Sequence, residues 1–244
     1  MLTGSGLNAA GILIGGVMGM MMSRQFSAPT QLALRGMMGV LTVFIGLRLT
    51  WTTLGNDAGH IPRQLLAVIL SLMLGRLLGR LLRIQKNLNR LGQYASKRFA
   101  AARPTDPNRF NEGFVICALL FCAGPLGPIG AVQDGLMGYW EPLAIKMGMD
   151  GLAAMGFVSV FGWGVMLSAL PVFVYQGTIA LAVHNLEPFL TAHNLLDSVN
   201  AVGGLLVFCV ALVVLELKKF ELGDYLPSLV TAPLVTWLLR QWLG

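Results

Sequence analysis

The chain has 244 residues, 55% of them hydrophobic and only 11% charged, with a formal net charge of +6. A soluble domain carries about 25% charged residues, so the polar surface needed in water is missing and lipid is the expected solvent. The positive excess does not point to nucleic acid, because the Lys and Arg residues fall between apolar runs, as in segments retained on the cytoplasmic side of a membrane.

Apolar runs of roughly 18–22 residues predict spanning helices; barrel strands would show alternation over about ten residues. The expected fold class is all-α, a polytopic transmembrane helix bundle of about eight spans forming one integral membrane domain over residues 1–244. The first run, residues 5–22, carries Gly11, Gly15 and Gly19 at i, i+4, i+8, a face for close helix packing. Its one strongly polar group, Asn8, suits an interhelical hydrogen bond or a ligand contact. No Lys or Arg precedes this run, while Arg24 and Arg35 follow it, which favours an extracytoplasmic N-terminus and an uncleaved first helix.

The second run, residues 32–54, holds Gly36, Gly39 and, toward its outer end, Arg48, which is either functional or snorkels to the headgroups. The third, residues 61–82, closes with Arg76, Arg80 and Arg83 on one face, suited to anionic headgroups. In residues 83–110, Ile84, Leu88, Leu91, Ala95 and Phe99 recur with helical period, and Lys86, Arg90, Lys97 and Arg98 occupy the other faces. That pattern predicts an amphipathic helix lying on the cytoplasmic leaflet, ended by the RPTDP linker at 103–107.

The fourth run, residues 111–132, contains a helix break made of Gly124, Pro125, Gly127, Pro128 and Gly130. Backbone groups freed at membrane depth must be buried in protein or line a wet cavity. A polar outer loop is expected next, through Asp134, Tyr139-Trp140 and Glu141-Pro142. The fifth run starts near Ala144 with Lys146 and Asp150 four residues apart on one helical face, either a structural pair at the membrane edge or part of a charged vestibule. Residues 151–182 are too long for one span, and Gly162-Trp163-Gly164 is the natural hairpin.

The sixth span carries Pro171 and Gln176; the amide either bonds the carbonyl freed by Pro171 or touches a substrate. The seventh, residues 196–217, opens with Asn200 and Gly203-Gly204, and Lys218-Lys219 follow it. The eighth, residues 225–243, carries Pro227 and Pro233 near its start. Cys117, Cys122 and Cys209 sit inside apolar runs, and His184 and His193 lack partners at ligand spacing, so neither a metal nor a cofactor is expected.

GMMGVLTVFIGLRLTW in the second run resembles AVGGLLVFCVALVVLEL in the seventh. Spans 1–3 and 6–8 would then be offset by an odd number of crossings and inverted, the arrangement of secondary transporters built around discontinuous helices. A rival match of NAAG at residues 8–11 with NAVG at 200–203 implies no inversion.

A wider set of residues carries a family resemblance. It comprises Asn8-Ala9 with Gly15-Gly16 and Gly19, Phe121-Cys122 followed by Gly130-Ala131-Val132-Gln133-Asp134-Gly135, and Lys146 with Asp150-Gly151 and Gln176. Ala201-Val202-Gly203-Gly204-Leu205-Leu206, Leu226-Pro227 and Ala232-Pro233-Leu234 complete it. Over nearly the whole chain these resemble the bacterial domain-of-unknown-function 554 family. The resemblance implies a multi-pass protein of the bacterial cytoplasmic (inner) membrane, in a family usually taken to be transport-related. Relatives usually carry other small or apolar residues at Pro125 and Pro128, which shifts the weight of the break onto its glycines.

The expected function is transport or facilitation of a small solute or ion. Its expected site, at the broken fourth helix, is lined by Asn8, Gln133, Asp134, Asp150, Gln176 and Asn200. The alternative is a non-transporting scaffold or regulatory subunit that uses its glycine faces and basic helix. No Ser-His-Asp set, paired carboxylates, HExxH or phosphate loop is present, so an enzyme is not expected. The expected partners are the lipid bilayer, a small solute or ion and a homo-oligomer, with no nucleic acid.

Overall fold

Every regular element among the described residues, 2–22, 26–54, 61–102 and 108–243 of a computed structural model, is helical. Arg24, Asp57 and the 103–107 linker lie outside them. The elements are α1 (Thr3–Met21), α2 (Ala28–Thr53), α3 (Ile61–Leu81), α4 (Ile84–Ala101), α5 (Arg109–Ala123), α6 (Leu126–Met137), α7 (Glu141–Phe161), α8 (Gly164–Leu167), α9 (Ala169–His184), α10 (Glu187–Ala192), α11 (Leu196–Val214), a 3₁₀ turn (Leu222–Tyr225) and α12 (Ser228–Leu243).

Among the described residues six stretches are long and apolar enough to cross a membrane: α1, α2, α3, α7, α11 and the run Gly164–Ala192. The α5–α6 pair, bent by 63°, makes a seventh when taken as one span. Helix α12 has 16 residues, about 24 Å at 1.5 Å per residue, short of the roughly 30 Å hydrocarbon core. The expected count of eight is therefore not reached by length, because the chain forms the 3₁₀ turn first and Pro227, which has no N–H, stands just before the helix.

Helices in lipid gain little from burying apolar surface against one another, so close van der Waals approach holds them. A Cβ on Gly11, Gly15 or Gly19 of α1 would strike the α7 backbone at Met147, Gly151 and Met155 respectively. The contacts advance in step, so α1 and α7 are parallel. Helices α2 and α11 cross antiparallel: Gly39 lies on Leu215, and a Cβ on Gly46 or on Gly204 would come to 2.9 Å from the other's carbonyl oxygen. Helices α3 and α12 are also antiparallel, with Gly75 on Ser228, Gly79 on Asp224, and the Thr231 hydroxyl donating to the Ser71 carbonyl at 2.9 Å. Helix α6 runs parallel to α9, with Gly127 beside Gln176 and Gly135 against Ala180.

Helix α4 is fastened at both ends. The Gln85 N–H donates to Asp224 Oδ1 at 2.9 Å, and the Gly223 N–H donates to Gln85 Oε1 at 2.7 Å. At the far end Phe99 packs on Phe157 and Phe161, with ring centroids 5.1 and 5.7 Å away. Arg48, on an exposed side chain, reaches Glu141 at 3.5 Å, and Arg76 lies over the Tyr225 ring.

Gly15→Ala presses a methyl into the immovable Gly151 carbonyl, and the expected cost is about 1–3 kcal/mol. Gly36→Ala, where nothing lies within 4 Å, should be neutral or gain up to about 1 kcal/mol of helix propensity. Unfolding of both variants in detergent micelles checks the contrast.

Candidate functional site

Helix α5 stops at Ala123, Gly124 is extended (φ −67°, ψ 131°), and α6 begins at Leu126 after Pro125. The break is thus narrower than the 124–130 stretch expected: Gly127, Pro128 and Gly130 are helical. Pro128 occupies the third position of α6, where an N–H would have no intrahelical acceptor, so there it starts a helix and breaks none. The Gly127 N–H turns back to the Gly124 carbonyl at 3.1 Å.

Gln133 and Asp134 also depart from expectation. They lie inside α6 and are 0% and 1% exposed, not on a polar outer loop. Helix α6 continues to Met137 and closes at Gly138 (φ +69°), with the Tyr139 N–H donating to the Gln133 carbonyl and the Gly138 N–H to the Asp134 carbonyl. Helix α7 begins at Glu141, ahead of the expected Ala144, so Lys146 and Asp150 are buried well inside it.

There a polar chain forms. Lys146 Nζ lies 2.5 Å from Asp150 Oδ2. Asn8 Nδ2 donates to the same oxygen at 3.1 Å and to Gln176 Oε1 at 3.3 Å. The amide orientations follow from chemistry: a carboxylate only accepts, so the Asn8 amino group faces it, and its second hydrogen requires the Gln176 oxygen. The Gln176 Nε2 group is left buried without a partner. It would sit 3.4 Å from a Cβ on Gly127, as would Lys146 Cε, and Lys146 Nζ would sit 3.8 Å from a Cβ on Gly124. Both ends of the chain therefore reach the break. Gln176 does not bond a carbonyl freed by Pro171, which lies in the first turn of α9 and so interrupts no helix.

The other expected lining residues are placed differently. Asp134 Oδ2 accepts the Gly4 N–H at 2.9 Å, which sets a carboxylate at the positive end of α1 one turn before Asn8. Gln133 presses its amide on Gly203 of α11, with both polar atoms unpartnered. Asn200, one turn earlier on α11, is fully buried and likewise unpartnered. So Asn8, Asp150 and Gln176 are joined by hydrogen bonds; Asp134 adjoins them through α1; Gln133 and Asn200 share the α11 side. Lys146 and the buried Ser5, whose hydroxyl is unpartnered, were absent from the expected lining. The i, i+4 spacing to Asp150 was the signal for Lys146.

All of these residues fall within residues 3–237, which match the model of the family described as "Protein of unknown function (DUF554)". The chain belongs to this family. It is 28% identical over 233 residues to the Escherichia coli (strain K12) "Uncharacterized protein YqgA", covering 95% of each chain. It is 29% identical over 239 residues to the Bacillus subtilis (strain 168) "Uncharacterized membrane protein YdfK", covering 97% of this chain and 96% of that one. No solved structure matches. With its spanning-length apolar helices, this family member is a membrane protein.

Lys146→Met leaves Asp150 charged, buried and without its cation; the expected loss is about 3–5 kcal/mol, and Lys146→Met with Asp150→Leu should recover most of it. Unfolding free energies of the two variants test this. A double variant no more stable than the single would locate the cost elsewhere.

Proposed function

We propose that this protein is a transporter or facilitator of a small solute or ion in the bacterial cytoplasmic membrane, with its site at the α5–α6 break. The observation that carries the reading is the Lys146–Asp150–Asn8–Gln176 chain, buried among apolar helices and ending at an interrupted backbone. Charged groups within spans are costly and mark solute pathways, and half-helix ends at mid-membrane are where secondary transporters hold their cargo.

The helix pairing supports an inverted repeat of spans 1–3 and 6–8. Helix α1 runs antiparallel to α8–α9, as Asn8 meets Gln176 and Gly16 meets Met166. The α2–α11 and α3–α12 pairs are antiparallel too. Each early span thus lies against its counterpart, as a two-fold axis in the membrane plane requires. Seven crossings from an extracytoplasmic N-terminus, with α5–α6 as one of them, would put Arg35, the basic faces of α4 and Lys218-Lys219 on the cytoplasmic side, in keeping with charge asymmetry. The scaffold alternative drew on the glycine faces and the basic helix; of the glycines, Gly11, Gly15, Gly19, Gly39, Gly46 and Gly204 are used inside the chain.

Reconstitution into proteoliposomes with a broad panel of labelled solutes tests the proposal. Wild type should carry at least one solute faster than empty vesicles, and Asn8→Ala should slow it about tenfold or more, through loss of a hydrogen bond to a charged group. No flux above background for any solute of the panel would sink the reading.

A further inference from the structure

We propose that the break binds a small anion, an inorganic monoanion or a single carboxylate group, held between Lys146, the Gln176 amide and the first turn of α6. The inference deepens the transport reading and rests on it only for the claim that the anion is cargo.

The groups that reach the break are donors. Gln176 Oε1 is committed to Asn8, so its amino group is what faces Gly127, fully buried and unpartnered. The Asp150 carboxylate is turned away, toward Lys146 and Asn8. The fully buried unpartnered oxygen of the polar chain, Asn8 Oδ1, belongs to the amide in its middle and not to either end. Lys146 brings its ammonium to Gly124, while Asp150 balances the formal charge.

At the break the negative end of α5 has the Lys146 ammonium beside it, whereas the positive end of α6, a helix of 12 residues, has no side-chain cap. Pro128 supplies no N–H, and the Gly127 N–H is bent back to Gly124. Pro125 likewise has no N–H, so the donor this turn still offers is the Leu126 N–H, which no side chain caps. A cation would meet ammonium, amide N–H and a helix N-terminus together.

Size follows from the glycines. A Cβ on Gly127 would meet nothing nearer than 3.4 Å and one on Gly124 nothing nearer than 3.8 Å, whereas Gly130 and Gly135 are filled by Leu143 and by Ala180 and Val183. The room at each of the two glycines is that of one methyl group in ordinary contact, which favours the smallest monoanions and excludes a phosphorylated metabolite.

The test uses the full chain in detergent micelles, exchanging the sodium salt of a bulky sulfonate for acetate, nitrate or chloride at constant ionic strength. Unfolding temperature and calorimetric binding are followed. At least one of the three anions should raise the unfolding temperature in a saturable way. Gly127→Ala, which fits the available space, and Gln176→Glu, which keeps the acceptor for Asn8 and removes the donor, should each weaken binding about tenfold or more. No saturable response in wild type, or an equal response in wild type and Gly127→Ala, overturns the anion site. Proteoliposome flux separates the two readings. Anion binding without anion flux keeps the site and removes transport. Flux of a cation or neutral solute without an anion response keeps transport and removes the anion.

Discussion

Lipid cannot hydrogen-bond the backbone where the fourth span is interrupted, and most of the interior follows from that. At Gly124-Pro125 the helical ladder is cut inside a hydrocarbon-length segment. Polar side chains must then come from neighbouring helices, since nothing in lipid can hydrogen-bond the exposed ends. Three helices answer, with Lys146 and Asp150 from α7, Asn8 from α1 and Gln176 from α9. Burying an ion pair is seldom favourable in itself. It is tolerated here because Asn8 adds a second hydrogen bond to Asp150, and because the Lys146 ammonium sits by the C-terminal end of α5, where a helix dipole favours a cation.

The glycine faces make this geometry reachable. Asn8, Gly11, Gly15 and Gly19 lie on one side of α1, and the glycines bring that side onto the α7 backbone. The contact that closes α1 on α7 is therefore the one that sets Asn8 beside Asp150. Helix α6 is gripped in a comparable way. Asp134 holds the start of α1, Gly130 admits Leu143 of α7, and Gly135 admits Ala180 and Val183 of α9. Its later turns are locked on three sides, while in its first turn Leu126 and Ile129 enter the apolar core and Gly127 faces Lys146 and Gln176.

Much of the fold was legible in the sequence, since run length and hydropathy report what lipid demands of each segment. The limits of α1, α3 and α11 came within a few residues. The width of the break did not, because proline and glycine were weighed as breakers regardless of position; Pro128 in a first turn costs nothing. Asp134 was read as loop because a polar QDG after an apolar run looks like an exit, and only the Gly138 cap keeps those residues helical. Asn8, Asp150 and Gln176 were recognisable as polar groups in spans. Their meeting was not, because residues 8 and 150 are joined by the parallel packing of α1 on α7 and residues 8 and 176 by the antiparallel packing of α1 on α9, which no single sequence records.

A purely structural reading of the polar chain has to account for where its unpaired atoms lie. Buried polar groups in folded proteins are nearly always bonded, and a cluster kept for stability alone should close on itself. Here consecutive members are bonded, Lys146 to Asp150, Asp150 to Asn8 and Asn8 to Gln176, while Asn8 Oδ1 is left open within the chain. The Gln176 amino group, at the terminus that faces the interrupted backbone, is open too. Gln133 and Asn200 repeat the pattern on the α11 side, with both atoms of each amide unpartnered. A donor left open beside the interrupted backbone is what a binding site offers, because a hydrogen bond left open at fixed geometry is available to whatever enters.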